Sequence, residues 1–308
     1  MSNTAGGPRS PVDPETLKAV STLTVEVLRE VEGLQGGAHS SPHLGASVEF
    51  AEHKKYSPGD DIRHIDWRAY ARTDRYFVKQ HQREVILQCL MALDCSASMG
   101  YRGSRARKDK IGYAVELLAT MAHILVRQGD AAGLLTFHSK IDKFVPPTPR
   151  PDHLRTLMTH FASIKAADGG STSYQEAIAH AADHAGRRAM IVLASDLWGA
   201  GRETEVALGQ LAARGHEVVV FHVLDPDELD LPFDRSMAFE GTEGESRVSV
   251  DPSLIRQDYR NEVKAVRERW QRVCGEAEID LATAVTSSPP SVVLSDFVAL
   301  RHGRRRRG

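Results

Sequence analysis

Carboxyl and hydroxyl side chains follow one apolar run at alternate positions. In "LDCSASMG", Asp94, Ser96 and Ser98 come directly after the apolar stretch "VILQCLMA". In an extended chain, alternate residues point to the same side, so these three side chains would face one space. Carboxylates and hydroxyls, with no imidazole or thiolate at matching positions, suit a hard cation such as Mg²⁺ or Mn²⁺. The structural alternative is that Asp94 and Ser96 cap a helix.

Two later segments have the same oxygen-rich character. Ser171 and Thr172 stand in "GGST", before the helical pattern "SYQEAI". Ser195 and Asp196 follow the apolar run "MIVLA". Either hydroxyl of the first pair could face a cation, and Asp196 alone could equally be a helix cap. All three segments in this order favour a metal site over three separate caps.

Apolar strands alternate with amphipathic helical patterns from residue 85 to about residue 300. Such alternation predicts an α/β domain with a mostly parallel sheet flanked by helices. Ligands of such sheets bind in the crevice at the carboxyl ends of the strands, where the three segments would meet. The predicted strands are "VILQCLMAL", "AAGLLTF", "RAMIVLAS", "HEVVVFHVL" and "IDLATAV", and "MAFEGTEGESRVSV" is predicted to form a hairpin.

The two ends of the chain differ from this pattern. Residues 1–13 are rich in Gly, Pro and Ser and are predicted to be disordered. Residues 14–84 are predicted to be an N-terminal extension: an amphipathic helix of about 17 residues from Pro14, then a charged, irregular segment that packs on the core. Residues 301–308 contain five arginines and are predicted to be a disordered basic tail.

Composition limits the classes of function. The chain has 308 residues, of which 41% are hydrophobic and 26% charged, as in ordinary globular proteins. It has neither an apolar run near the roughly 20 residues of a membrane span nor a secretory signal, so we expect a cytoplasmic protein. The three cysteines have no zinc-site or disulfide spacing. Cys95 is expected to be a buried filler, and nucleic-acid binding is not expected outside the arginine tail.

The stretch "YSPGDDIRHIDWRAYARTDRYFVKQHQREVILQCLMALDCSASM" resembles the signature of the bacterial domain-of-unknown-function 58 family. The similarity covers roughly residues 40 to 300. Members are often encoded beside MoxR-type AAA+ ATPases. The resemblance therefore implies a partnership with such an ATPase in protein maturation, assembly or metal-cofactor insertion.

The three oxygen-rich segments also resemble the metal-ion-dependent adhesion site of von Willebrand factor type A domains, which have a Rossmann-like fold. The resemblance implies that one Mg²⁺ or Mn²⁺ is surrounded by Asp94, Ser96, Ser98, Thr172 and Asp196. It implies that serine hydroxyls touch the metal, that aspartates often act through water, and that one coordination position is left for an acidic residue of a partner. Ser171 is inserted relative to the usual family pattern, and we favour Thr172 as the ligand.

The charged segment before the core could be structural or functional. In "PGDDIRHIDWRAYAR", Asp60 or Asp61 could cap a short helix, and Arg63, Asp66 and Arg68 or Arg72 could form charge-assisted contacts. Alternatively, the ridge formed by Asp60, Asp61, Arg63, Asp66 and Trp67 could dock the ATPase partner.

Three functions are compatible with these residues. We expect a non-enzymatic protein–protein interaction module that binds an acidic residue of a partner. The alternative is a metal-dependent phosphoesterase that uses Asp94 and Asp196. The sequence shows no general base at the site, no G-x-S-x-G motif and no phosphate-binding glycine loop. A nucleic-acid-associated protein held by the arginine tail is the third reading.

Overall fold

The chain forms two compact units. The computed structural model describes residues 10–21, 23, 25, 48–57, 65–83, 86–234, 237–239 and 248–305. Residues 1–30 and 87–308 form the larger unit, and residues 31–86 form the smaller one. The predicted extension 14–84 is therefore divided, because its first helix belongs to the larger unit.

A six-stranded sheet is the centre of the larger unit. Its strands are β3 (Gln88–Asp94), β4 (Ala131–Phe137), β5 (Ile141–Thr148), β6 (Met190–Ser195), β7 (Glu217–Leu224) and β10 (Asp280–Val285). The order across the sheet is β10-β7-β6-β3-β4-β5. All neighbours are parallel except β4 and β5, which are antiparallel. The predicted fold class, an α/β domain with a mostly parallel sheet flanked by helices, is confirmed.

Helices cover both faces of this sheet. They are α3 (Lys110–Arg127), α4 (His153–Ser163), α5 (Tyr174–His184), α6 (Arg202–Ala213), α7 (Pro226–Asp230), α8 (Pro252–Glu276) and α9 (Pro290–Arg305). Strand β3 shows why two layers form. Met91 and Leu93 pack in a core with α3 and α9, whereas Leu90 and Ala92 pack in a second core with α5, α6 and α8. Because β3 is buried on both faces after its first residue, its sequence is continuously apolar from Cys89 to Leu93.

The edge strand β5 was not predicted. Its sequence "IDKFVPPT" is polar at several positions and contains Pro146 and Pro147, which disfavour a central strand. At the sheet edge both features are tolerated. The strand runs so close to β4 that a Cβ on Gly133 would lie 2.6 Å from the Pro147 nitrogen, so glycine is required there.

The first helix, α1 (Pro14–Ala19), has six residues instead of about 17. Within the larger unit, α1 contacts α3 through the Thr16 hydroxyl, which donates to Glu116 Oε1 at 3.2 Å. Most of the predicted remainder of this helix lies outside the described residues.

The predicted disordered tail is wrong at its start. Helix α9 continues to Arg305. Arg301 is 3% exposed; it bonds to Glu217, and its Nη1 lies 3.1 Å from Asp280 Oδ2. None of the helices in the described ranges combines the length and apolar character that crossing a membrane requires.

The predicted hairpin is present as β8 (Met237–Phe239) and β9 (Val248–Val250), which pair antiparallel. In the smaller unit, β1 (Val48–Lys55) and β2 (Phe77–Arg83) form an antiparallel pair that the sequence did not predict. Helix α2 (Trp67–Thr73) lies between them in sequence.

Candidate functional site

The crevice of the sheet lies between β3 and β6. Strand β3 is followed in sequence by β4 on one side, whereas β6 is followed by β7 on the other, so the strand order reverses between them. The crevice at such a reversal is where open α/β sheets bind ligands. Asp94 ends β3 and Ser195 ends β6, and the adjacent Leu93 and Ala194 are paired across the two strands. The sequence thus places oxygen-bearing residues at the point that the topology favours.

Asp94 is fully buried and its carboxylate is held from two sides. Its Oδ1 accepts the Ser96 amide at 2.9 Å. Its Oδ2 accepts the hydroxyls of Ser195 at 2.7 Å and Tyr174 at 3.0 Å. Three donors thus fix the orientation of this carboxylate.

The two serine hydroxyls after Asp94 lie side by side. Ser96 Oγ and Ser98 Oγ are 3.1 Å apart, and both residues are buried. Ser98 is the second residue of a short 3-10 helix, Ala97–Gly100, whose N-cap is Ser96. The side chain of Ser96 makes no capping hydrogen bond there, so capping does not explain this hydroxyl.

Thr172 stands in the loop before α5. Its Oγ1 is buried and makes no hydrogen bond within the part of the chain that the structure describes. Such orphaned hydroxyls are uncommon and call for an explanation. Ser171 is exposed. Tyr174, two residues after Thr172, contacts Asp94 and so brings this loop to the crevice.

Asp196 follows β6 and bonds on both carboxylate oxygens. Oδ1 accepts the Trp198 amide at 3.0 Å, and Oδ2 accepts Lys110 Nζ at 2.8 Å. The second contact is a buried ion pair, with Lys110 only 2% exposed. Trp198 itself is 57% exposed.

Lys110 also connects Asp196 to the end of β7. Its Nζ donates to Glu228 Oε1 at 2.6 Å. Glu228 belongs to a capping box in which Asp225 and Glu228 satisfy the backbone at the start of α7. The same turn fixes the loop after the 3-10 helix, because the Gly103 amide donates to Asp225 Oδ2 at 2.8 Å. A Cβ on Gly103 would lie 2.3 Å from Asp225 Oδ1, so only glycine fits.

Burial governs the electrostatics of the crevice. Burial, and next the negative charge of Asp196, raise the pKa of Asp94 from 3.8 to about 6. Burial lowers the pKa of Lys110, but Asp196 and Glu228 outweigh that effect and leave its pKa above the ordinary value. Burial also lowers the pKa of His222 to about 4. His222 is therefore neutral at pH 7. Its Nε2 lies 3.0 Å from the Asp196 carbonyl oxygen.

The donor set fits a hard divalent ion through its oxygens. In the described ranges, no three His, Cys, Asp or Glu side chains are grouped so that they could hold a metal. The candidate site does not have that composition, because it combines two aspartates with hydroxyls, the oxygen ligands that Mg²⁺ and Mn²⁺ accept. The unpartnered Thr172 hydroxyl and the adjacent serine hydroxyls are compatible with such an ion. Metal binding and the ligand set remain predictions.

Cys95 does not take part in this chemistry. Its thiol is buried, and burial, followed by the charge of Asp94, raises its pKa to about 12. A thiol with such a pKa stays protonated and unreactive. The expectation of a buried filler agrees with this environment.

The predicted docking ridge is described only in part. Asp60, Asp61 and Arg63 lie outside the described residues. The Asp66 carboxylate caps α2, with Oδ1 accepting the amides of Arg68 and Ala69. Trp67 is 62% exposed. The cap is thus Asp66, whereas the sequence suggested Asp60 or Asp61.

Four residues of the crevice were not assigned a role from the sequence: Lys110, Tyr174, Ser195 and Glu228. The sequence indicates Ser195 as an oxygen-bearing residue beside Asp196, but its hydrogen bond to Asp94 was not predicted. The roles of Lys110 and Glu228 could not be predicted from the sequence. Lys110 contacts Asp196 and Glu228, which lie 86 and 118 positions away in sequence.

Solved structures with some similarity to the chain have low sequence identity. BatB from Bacteroides thetaiotaomicron is 15% identical, with a TM-score of 0.48, over 70% of this chain and 99% of that one. Proximal thread matrix protein 1 from the mussel byssus, with a zinc-occupied MIDAS motif, is 13% identical, with a TM-score of 0.42, over 70% of this chain and 48% of that one.

Sequence comparisons identify the family. Uncharacterized proteins of Mycobacterium bovis and Mycobacterium tuberculosis are 30% identical over 277 residues, which cover 88% of this chain and 86% of theirs. The family described as "Protein of unknown function DUF58" matches residues 52–269. The chain therefore belongs to the DUF58 family.

Proposed function

We propose that this protein is a non-enzymatic interaction module whose crevice binds Mg²⁺ or Mn²⁺ and, through it, an acidic residue of a partner. The metal would lie among Asp94, Ser96, Ser98, Thr172 and Asp196. When bound, the ion supplies an open coordination position for a carboxylate oxygen. The partner class is a MoxR-type AAA+ ATPase or its client, in protein maturation, assembly or metal-cofactor insertion, and the site of action is the cytoplasm.

One observation carries the metal part of the proposal. The Thr172 hydroxyl is buried without a hydrogen-bond partner among the residues described, although a buried hydroxyl without one costs free energy. The paired hydroxyls of Ser96 and Ser98 add two further oxygen ligands. A hard cation would satisfy all three.

The surroundings of Asp196 support protein binding. Trp198 exposes its indole two residues from Asp196, while its amide is fixed to the Asp196 carboxylate. A large aromatic side chain on an ordered backbone is the kind of residue that dominates binding energy at interfaces. An acidic residue flanked by apolar ones would therefore match the crevice and its rim.

Mn²⁺ titration by calorimetry tests the metal site. We expect binding heat for the wild type and none for Asp94→Ala, with the exposed Asp152→Ala retaining the wild-type signal. No binding heat in the wild type would refute the metal site. A Thr172→Val variant should lose affinity whereas Ser171→Ala should not, and the opposite result would reassign the ligand.

A pull-down with the candidate ATPase tests the partner class. The full chain should retain the ATPase in Mg²⁺ and lose it in chelator. Trp198→Ala should weaken capture while its Mn²⁺ titration stays unchanged. Capture that persists in chelator and in Asp94→Ala would separate partner binding from the crevice and contradict the proposal.

A further inference from the structure

Lys110 places a positive charge inside the proposed metal site. Its side chain is 2% exposed, and its Nζ lies 2.8 Å from Asp196 Oδ2 and 2.6 Å from Glu228 Oε1. The Tyr101 ring lies 5.9 Å from the same nitrogen. The main chain is fixed as well, since the Lys110 amide donates to the Tyr101 carbonyl at 3.0 Å. Two carboxylates and the Tyr101 ring therefore hold the ammonium in place.

Lys110 reduces the net negative charge of the crevice. Asp94, Asp196 and Glu228 contribute three negative charges when ionised, and Lys110 offsets one of them. The carboxylate that the ammonium binds directly, Asp196, is also one that the proposed metal site uses. A divalent cation near Asp196 would therefore be attracted by a carboxylate whose charge Lys110 already neutralises.

We propose that Lys110 sets the divalent-ion affinity of the crevice, because its ammonium occupies Asp196 and repels the incoming cation. This inference rests on the proposed metal site and adds a residue that determines how tightly the ion is held. It follows that the crevice alone binds the ion weakly, and that the carboxylate of a partner supplies the negative charge that Lys110 withholds. The metal and the partner then bind cooperatively, each increasing the affinity for the other.

Charge substitutions on the two sides of the ion pair should have opposite effects. Lys110→Met keeps an unbranched apolar stem but removes the repulsion, so the affinity for Mn²⁺ should increase by about tenfold or more, because charges in a buried site are poorly screened. Glu228→Gln leaves Lys110 in place but removes a negative charge, so the affinity should fall several-fold. Lys108→Met is the matched control, because Lys108 lies two residues before Lys110, just before α3, but is exposed and paired with Glu116.

The experiment is a titration of each full-length protein with Mn²⁺ at pH 7.5, in which electron paramagnetic resonance measures the free ion. Tighter binding in Lys110→Met, weaker binding in Glu228→Gln and wild-type binding in Lys108→Met would support the inference. Unchanged or weaker binding in a folded Lys110→Met would overturn it. Thermal unfolding establishes that each variant is folded; should Lys110→Met not fold, wild-type affinity in Glu228→Gln would overturn the inference.

The Mn²⁺ titration of the wild type distinguishes a failure of this inference from a failure of the proposed function. If the wild type binds Mn²⁺ and the variants do not differ from it, the metal site stands and the role of Lys110 is refuted. If neither the wild type nor any variant binds, the metal site is refuted and this inference falls with it.

Discussion

The buried carboxylate of Asp94 should destabilise the metal-free protein at neutral pH. In the folded state its pKa is raised from 3.8 to about 6 by burial and by the charge of Asp196. At 1.36 kcal/mol per pH unit, this difference corresponds to roughly 3 kcal/mol of destabilisation when the group is ionised. Asp94→Asn removes that cost because it replaces the charge with a neutral group of the same shape.

The replacement also changes hydrogen bonds. The amide oxygen can still accept from Ser96, but the amide nitrogen must then donate to the hydroxyl oxygens of Ser195 and Tyr174, which now donate to Asp94. A rearrangement of this kind costs about 1 kcal/mol. We therefore expect Asp94→Asn to raise the free energy of unfolding by about 2 kcal/mol at pH 7.5. In a domain of this size the melting temperature would rise by about 4–8 °C.

The pH dependence gives the effect a signature. Because the pKa of Asp94 is higher in the folded state than in the unfolded state, its contribution to stability is favourable below about 3.8 and is lost as the pH rises through about 6. The cost of the wild-type carboxylate should therefore be about half as large at pH 5 as at pH 7.5. Most of the advantage of Asp94→Asn should disappear over that interval.

Urea denaturation in EDTA at both pH values measures these differences. Asp152→Asn is the control, because that carboxylate is 66% exposed and should change stability by less than about 0.5 kcal/mol at either pH. An Asp94→Asn protein that is no more stable than the wild type at pH 7.5, or whose advantage does not shrink at pH 5, would refute the reasoning. With Mn²⁺ added, the wild type and Asp152→Asn should gain stability, whereas Asp94→Asn should not.

Three further substitutions or deletions test the packing around the crevice and the last helix. Removing residues 301–308 takes away the buried Arg301 and its ion pairs with Glu217 and Asp280, so the free energy of unfolding in urea should fall by about 3–5 kcal/mol, whereas removing only the last three residues should have little effect. Gly103→Ala should destabilise the protein by more than about 1 kcal/mol, because its Cβ has no space against the neighbouring carboxylates; an unchanged melting temperature would contradict this. Tyr174→Phe removes a hydroxyl that donates to Asp94 and should lower the free energy of unfolding by about 1–2 kcal/mol at pH 7.5, and an unchanged urea midpoint would show that this contact contributes nothing.

The central strands and the edge where the site lies could be predicted from the sequence for a physical reason. Strands buried on both faces must be continuously apolar, so a run such as β6 is visible without an alignment. The carboxyl ends of parallel strands meet at one edge, so Asp94 and Asp196 had to lie near each other if the runs were strands.

The ion pairs could not be predicted, because they join residues far apart in sequence. Lys110 reads as one charge in a basic loop, and only the fold brings it to Asp196 and Glu228. Composition alone predicts that Arg301 belongs to a solvated basic tail. Helical spacing from Leu294 and Phe297 places it on the buried stripe of α9, where its charge has partners.

The unpredicted strand β5 also restricts how this protein can associate. An exposed strand edge usually offers amides to which another chain can add a strand, which leads to aggregation or to β-augmentation by a peptide. Two consecutive prolines, Pro146 and Pro147, remove amide donors from this edge, and the charged Asp142 and Lys143 further oppose pairing. Extension of the sheet on this side is therefore disfavoured, which is consistent with the proposal that a partner binds at the loops at the carboxyl ends of the strands.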